Sequence, residues 1–129
     1  MRSIFTIFLF LTIFIGYAQN RTVTTLNFNE IVAIDDLELQ LISVVDSRCP
    51  KNVSCMRAGE AKVVVEVFKN GKFLKQQTLT FYPSSFNKNT TTLYTSEALN
   101  ISGLQLFPYP EGPNKISETD YVLELVIED

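Results

Sequence analysis

Apolar and polar residues alternate along much of this chain with the two-residue period of β-strands. Leu37, Leu39 and Leu41 are separated by polar residues, which predicts a strand with one buried and one exposed face. Residues 121–128 show the same alternation and predict a closing strand. Residues 42–45 place apolar side chains on both faces, so we expect that end of the strand to be covered twice.

A two-residue hairpin is predicted at Asn70-Gly71, which lies between two β-rich runs. Both residue types adopt positive φ readily, as this tight turn requires. The resulting register pairs Phe68 with Phe73, Val67 with Leu74 and Glu66 with Lys75. A polar residue then falls on the inner face of the return strand, so we expect that strand at a sheet edge.

Weaker strand patterns cover residues 22–28, 30–34, 93–98 and 103–107. Residues 84–92 are polar and predict a connection, and the proline-rich residues 108–113 predict an exposed, stiff loop. No window has convincing helical spacing. The pattern therefore predicts an all-β fold, an antiparallel β-sandwich or barrel of seven to eight short strands.

The N-terminus has the layout of a secretory signal peptide. Arg2 precedes an apolar run, and Gly16-Tyr17-Ala18 supplies a small-x-small cleavage site. The run is shorter than the roughly 20 apolar residues of a membrane span. We therefore expect a cleaved signal at residues 1–18, a single β domain at residues 19–129, and a secreted or periplasmic protein. A retained membrane anchor is the alternative.

Charge and composition exclude several classes of function. The net charge is −3 and the basic residues are scattered, so we expect no nucleic-acid partner and, after signal cleavage, no membrane partner. The chain has no histidine, which removes Ser-His-Asp catalysis, Cys-His catalysis and imidazole zinc sites. We predict a protein that is not an enzyme and that carries no cofactor and no metal.

Three other kinds of chemistry compete with structural roles for particular residues. Asp35, Asp36 and Asp46 are candidate calcium ligands, but turn roles explain them better because nothing here resembles an Asp-x-Asp-x-Asp-Gly calcium loop. Paired carboxylates can cleave glycosides, although so small a β domain leaves little room for the cleft. Aromatic residues can form a sugar-stacking platform, but most are explained as core or loop anchors; they are Phe81, Tyr82, Phe86, Tyr94, Phe107 and Tyr109.

Cysteines and charged residues are concentrated in segment 46–61, "DSRCPKNVSCMRAGEA". Cys49 and Cys55 are the only cysteines of the chain, and in an exported protein they predict a disulfide. A redox-active cysteine pair is the alternative, but such pairs normally have Cys-x-x-Cys spacing beside the start of a helix. Neither feature is present in this sequence.

Arg48 directly precedes the first cysteine on this tied turn, and two roles are open for it. It can form an ion pair with Asp46 or Glu60 and brace the loop. Alternatively, it can project outward as the basic side chain of a rigid protease inhibitor. The direction of Arg48, inward or outward, decides between these hypotheses.

The pattern Asp46-Ser47-Arg48-Cys49-Pro50, four residues, Cys55, three residues and Gly59-x-Ala61 resembles a signature of small exported bacterial proteins and lipoproteins without an established activity. Residues 106–110 and 120–123 resemble later landmarks of that group. Here Met56-Arg57 stands where the group usually has an aromatic residue, and the signal lacks a lipid-attachment cysteine. The resemblance implies an exported β-rich domain and brings no catalytic residues.

These observations together predict a small exported β domain with a binding or structural role. Its partner is an unknown protein or extracellular ligand, and segment 46–61 is the expected interaction surface. A protease inhibitor acting through Arg48 is the alternative function.

Overall fold

The structure of the protein is a computed structural model, and it describes residues 15–83, 89 and 91–129. Most of the predicted signal peptide (1–18) and part of the predicted polar connection (84–92) lie outside the described residues. Among the residues described, no helix is long and apolar enough to cross a membrane.

The described residues form eight strands in two antiparallel four-stranded sheets that pack face to face. The strands are β1 (Arg21–Asn27), β2 (Ile31–Ile34), β3 (Leu37–Asp46), β4 (Ala61–Lys69), β5 (Lys72–Phe81), β6 (Thr92–Thr95), β7 (Asn100–Phe107) and β8 (Val122–Glu128). One sheet has the order β1-β8-β7-β6 and the other β2-β3-β4-β5. The predicted all-β sandwich is therefore confirmed, and these sheets do not close into the barrel that was its alternative.

The alternating residues supply the core between the sheets. Leu37, Leu39 and Leu41 of β3 are fully buried, and so are Leu123 and Leu125 of β8. Because successive side chains of a strand point to opposite faces, one apolar stripe per strand is enough to fill the interior.

The β4–β5 hairpin turns at Asn70-Gly71, as predicted. Both residues have positive φ, 52° and 76°, which a tight turn of the primed type requires. The predicted pair of Phe68 and Phe73 is present, with ring centroids 5.8 Å apart in an edge-to-face arrangement. The return strand β5 lies at a sheet edge, as expected.

Beyond that aromatic pair, the predicted hairpin register is wrong. A bulge shifts β5 by one residue, so that Val67 lies opposite Lys75 and Glu66 opposite Gln76. Since a one-residue slip exchanges the faces of a strand, the bulge turns Leu79 into the core. The burial of the far end of β5 therefore outweighs the charge pair that regular pairing would give.

A second bulge, at Ile42 in β3, also changes which side chains face inward. It shifts the inward positions from Leu41 to Val44 and directs Asp46 toward the interior. Val45 is 63% exposed, so the expectation that residues 42–45 are covered on both faces is wrong at that position. The bulge is what brings a carboxylate to the inner side of the sheet.

Strands β3, β5 and β7 all finish at the same end of the sandwich. The connections from β3 to β4 (47–60) and from β7 to β8 (108–121) leave the sandwich there. The ends of the two sheets meet there, because the Tyr121 hydroxyl at the start of β8 donates to Asp46 at the end of β3, at 2.8 Å. We call this region the loop end of the sandwich.

Candidate functional site

Arg48 points into the protein and pairs with Asp46. Its Nε donates to Asp46 Oδ1 and its Nη2 to Asp46 Oδ2, both at 2.8 Å, and the backbone N–H of Arg48 also donates to Oδ1 at 3.1 Å. Both side chains are only 5% exposed. This two-point arrangement matches the planar fork of a guanidinium to the two oxygens of a carboxylate.

The same guanidinium reaches across to the other sheet. Nη1 donates to the carbonyl of Leu106 at 3.4 Å, and Nη2 donates to the carbonyl of Pro108 at 3.2 Å. The Tyr109 ring packs against it, with its centroid 4.7 Å from the guanidinium carbon. Arg48 thus joins the end of β3 to the chain that leaves β7.

The electrostatics of the cluster hold its charges in fixed forms. Burial by itself raises the pKa of Asp46, but hydrogen bonds from Arg48 and Tyr121 and the charge of Arg48 outweigh it, so the net pKa lies below its usual range. Burial, and then the hydrogen bond to Asp46, raise the pKa of Tyr121 above its usual range. Asp46 is therefore a carboxylate and Tyr121 a neutral phenol at neutral pH.

The predicted disulfide between Cys49 and Cys55 is present and closes the loop outside this cluster. Hydrogen bonds fix Cys49 on both sides of its backbone. Its N–H donates to the carbonyl of Ala58 at 2.8 Å, and its carbonyl accepts from the Tyr109 hydroxyl at 2.8 Å. The loop is thus tied by a covalent bond on one side and by main-chain pairing on the other.

Gly59 allows the two limbs of segment 46–61 to approach each other. Its φ is +72°, and a Cβ at this position would lie 1.8 Å from the carbonyl oxygen of Ser47. Glycine is the residue that tolerates both conditions. The sequence carried this signal in its Gly-x-Ala pattern, but the need for close approach is visible only in the structure.

Glu60, the second predicted partner of Arg48, contributes through its backbone. Its carbonyl accepts from the Ser47 N–H at 2.8 Å and from the Ser47 hydroxyl at 2.9 Å. Its carboxylate lies 3.3 Å from the Lys62 ammonium in a partly exposed pair. Of the two acidic partners considered for Arg48, the structure places Asp46 beside it.

The outer part of the segment, residues 51–57, faces solvent, and we call it the tip. Met56 is 105% exposed and Val53 44% exposed, and Arg57 is exposed as well. Lys51 is held by its backbone, since its N–H donates to the Pro110 carbonyl at 3.0 Å. The tip therefore carries apolar and basic side chains on a backbone that is fixed to its neighbours.

A cleft of about 280 Å³ lies between the segment and the proline-rich connection that follows β7. Its walls include Pro50, Pro110 and Pro113. On its floor, Asp46 already accepts four hydrogen bonds, two at each oxygen. The Asp46 carboxylate on the floor of the cleft therefore has its hydrogen-bond partners within the protein and does not need a ligand to supply them.

The other candidates from the sequence take structural positions. Asp35 and Asp36 form the β2–β3 turn, where Asp35 has a φ of 53° and the Asp36 carbonyl accepts from the Asn70 N–H. The residues described contain no group of three His, Cys, Asp or Glu side chains arranged to hold a metal. Phe81 is buried in the core, and Phe86 lies outside the described residues.

Sequence reasoning missed the contributions of Tyr109 and Tyr121. The sequence pattern predicts only a strand position for Tyr121, and for Tyr109 it predicts a loop anchor or a sugar-stacking aromatic. Both tyrosines serve as hydrogen-bond donors that hold segment 46–61. The available signal was the hydroxyl itself, because a tyrosine at a predicted strand or anchor position needs a hydrogen-bond partner when it is buried.

Comparison with known proteins finds no matching family model, no similar curated protein and no similar solved structure.

Proposed function

We propose that this chain is an exported, non-catalytic binding domain of bacterial origin, secreted or periplasmic, and that its tip contacts a protein or another extracellular ligand. The signal-like N-terminus and the disulfide support export, because disulfides persist in oxidising compartments. The observation that carries the binding role is the full exposure of Met56 on a tightly fixed loop.

The loop end combines an exposed apolar and basic tip with a rigid base, by which we mean the buried Asp46–Arg48 pair and the backbone hydrogen bonds of Ser47 and Cys49. An apolar side chain exposed in this way adds nothing to the core, and exposed methionine is common at binding surfaces. The fixed base lowers the conformational entropy that binding would cost. The base supplies order, and the tip supplies side chains that contact a partner.

The alternative function, a protease inhibitor presenting Arg48, gains no support from the geometry. Arg48 is 7% exposed, and its guanidinium is shared between Asp46 and two backbone carbonyls. Projecting it into a protease pocket would leave Asp46 buried without its counter-ion, which is costly.

The binding proposal is tested by recovering partners from periplasm or culture medium with matched surface variants. The tip variant combines Val53→Ser, Met56→Ser and Arg57→Ala. The control variant combines Val23→Ser, Ile31→Ser and Arg21→Ala, because Val23 is 50% and Ile31 57% exposed on strands outside the loop end. Both variants should retain the unfolding midpoint of the wild type within a small margin, since surface changes cost little.

We expect the control variant to recover the same partner as the wild type and the tip variant to lose it. Equal recovery by all three proteins would contradict the tip as the contact surface. Loss with the control variant alone would place the contact on the sheet edges instead.

A further inference from the structure

We infer that the tip occupies the active-site cleft of a serine protease that cleaves after Arg or Lys, with Arg57 as the residue its specificity pocket takes up. This inference rests on the proposed function of the tip as a contact surface. The two arginines of the segment then have separate tasks, because Arg48 holds the loop from inside while Arg57 faces outward.

Arg57 is an exposed cation without a counter-ion among the described residues. The nearest carboxylate along the chain, Glu60, lies beside Lys62, and residues 47–59 contain no acidic side chain. A basic side chain in this state complements the acidic pocket of a protease with trypsin-like specificity. Met56, which precedes it, projects fully and offers an apolar contact next to it.

The backbone around Arg57 is anchored on both sides. Two residues earlier, Cys55 is tied to Cys49 by the disulfide. One residue later, the carbonyl of Ala58 accepts from the Cys49 N–H at 2.8 Å. The Arg57–Ala58 peptide bond therefore lies between two fixed points that share Cys49 as their common support.

This anchoring favours an inhibitor over an ordinary substrate. Proteolysis of exposed loops proceeds through local opening of the chain. Opening here has to break the hydrogen bond between the Cys49 N–H and the Ala58 carbonyl, and the intact disulfide limits how far Cys55 can move. If water were added across the Arg57–Ala58 bond, it would yield a carboxylate on Arg57 and an amine on Ala58. Both new ends would stay beside Cys49, so the contact surface would persist.

The limb opposite the tip adds to this rigidity. Ser47 donates from both its N–H and its hydroxyl to the Glu60 carbonyl, and Gly59 keeps the two limbs close. Because little freedom is left to lose, binding through Arg57 would cost little conformational entropy. Rigid surface loops of this kind move little between the free and bound states of protease complexes.

The test measures inhibition of trypsin by the purified mature protein, using the steady-state hydrolysis of a small amide substrate. We expect competitive inhibition at micromolar protein or below. Arg57→Ala should raise the inhibition constant at least about 100-fold, whereas Arg57→Lys should stay within about tenfold because it keeps the charge. The matched control Arg21→Ala removes an exposed arginine from β1, away from the loop end, and should leave the constant unchanged.

Three results would overturn the inference. The first is no inhibition by the wild type at about 100 μM, and the second is equal inhibition by wild type and Arg57→Ala. The third is rapid cleavage at Arg57–Ala58, seen as the mass gain of one water, which would make the chain a substrate. If trypsin is not inhibited but the tip variant still loses its partner from the medium, this inference fails while the binding role stands; failure of both removes the tip as a contact surface.

Discussion

The two connections that flank β4 both join antiparallel neighbours, but they are built in different ways. The β4–β5 connection is a two-residue turn at Asn70-Gly71, and its conformation follows from backbone preferences at positive φ. The β3–β4 connection spans residues 47–60 and has no such local solution. It is held by the buried pair of Asp46 and Arg48, by a disulfide and by contacts with the chain after β7.

The difference separates local from tertiary control of loop structure. A tight turn has only two residues, and its backbone conformation determines its structure. Few side chains are therefore available to contact a partner. A long loop held from its inner side keeps its outer side chains free while its backbone stays ordered. The exposed side chains of Met56 and Arg57 therefore lie on the β3–β4 connection, which is the one held by tertiary contacts.

Removing the Asp46 carboxylate, which holds the β3–β4 connection, should cause the largest loss of stability. Asp46→Ala leaves the Arg48 guanidinium buried without a counter-ion and the Tyr121 hydroxyl without its acceptor. We expect a loss of about 3–5 kcal/mol in the free energy of unfolding, measured by urea denaturation. The control Glu60→Ala, whose partly exposed carboxylate pairs with Lys62, should change stability by less than about 1 kcal/mol. Equal losses in both variants would contradict a specific role for Asp46.

Two glycines, one on each connection, sharpen the comparison. Gly59 and Gly71 have φ values of +72° and +76°, but only at Gly59 would a Cβ meet another atom, the Ser47 carbonyl oxygen at 1.8 Å. Gly71→Ala should therefore cost about 1 kcal/mol for backbone conformation alone, and Gly59→Ala about 2–3 kcal/mol because a clash is added. Unfolding curves of the two variants check this order, and a larger loss at Gly71 would refute it.

Removing the disulfide should destabilise the long connection and leave the short one ordered. In the chain-entropy model, a seven-residue closed loop contributes about 2.4 kcal/mol, so Cys49→Ser/Cys55→Ser should lose about that amount. Hydrogen exchange followed by mass spectrometry should show faster exchange in residues 50–58 and unchanged exchange around residues 69–72. Core amides that exchange only through global unfolding should also speed up by the global loss, so the contradicting result is an equal acceleration in residues 50–58 and in the turn at residues 69–72.

Acid should weaken the Asp46–Arg48 pair that holds the β3–β4 connection, because protonation removes the charge of Asp46. Because the pKa of Asp46 is depressed in the folded protein, its contribution is present above its unfolded pKa of about 3.9 and is lost as the pH falls through the folded value. We expect wild-type stability to drop below about pH 4 and Asp46→Asn to show a shallower drop, measured by urea denaturation across pH. An identical acid dependence in the wild type and in Asp46→Asn would contradict this origin.

The parts of the fold that depend on local pattern could be predicted from the sequence, and the parts that depend on bulges could not. The alternation at Leu37, Leu39 and Leu41 and the Asn70-Gly71 turn gave the strands and the hairpin. The bulge at Ile42 has no local signal, because it reconciles burial of both Leu41 and Val44 in one strand. It is this bulge that turns Asp46 inward.

The candidate site was predictable in position but not in orientation. The clustering of cysteines and charges marked segment 46–61, and export with two cysteines predicted the disulfide that is present. The choice between Asp46 and Glu60 for Arg48, and the roles of Tyr109 and Tyr121, depend on chain segments more than fifty residues away. The resemblance to small exported bacterial proteins stays a prediction, as do export and the binding role.

The central claim is that segment 46–61 is held from inside by Arg48 and leaves Arg57 free to contact a partner. Parallel urea denaturation of Arg48→Ala and Arg57→Ala tests it most directly, because the two substitutions remove the same side chain from the two sides of one loop. We predict a loss of about 3–5 kcal/mol in the free energy of unfolding for Arg48→Ala and a change within about 0.5 kcal/mol for Arg57→Ala. Small and equal changes in the two variants would contradict the claim.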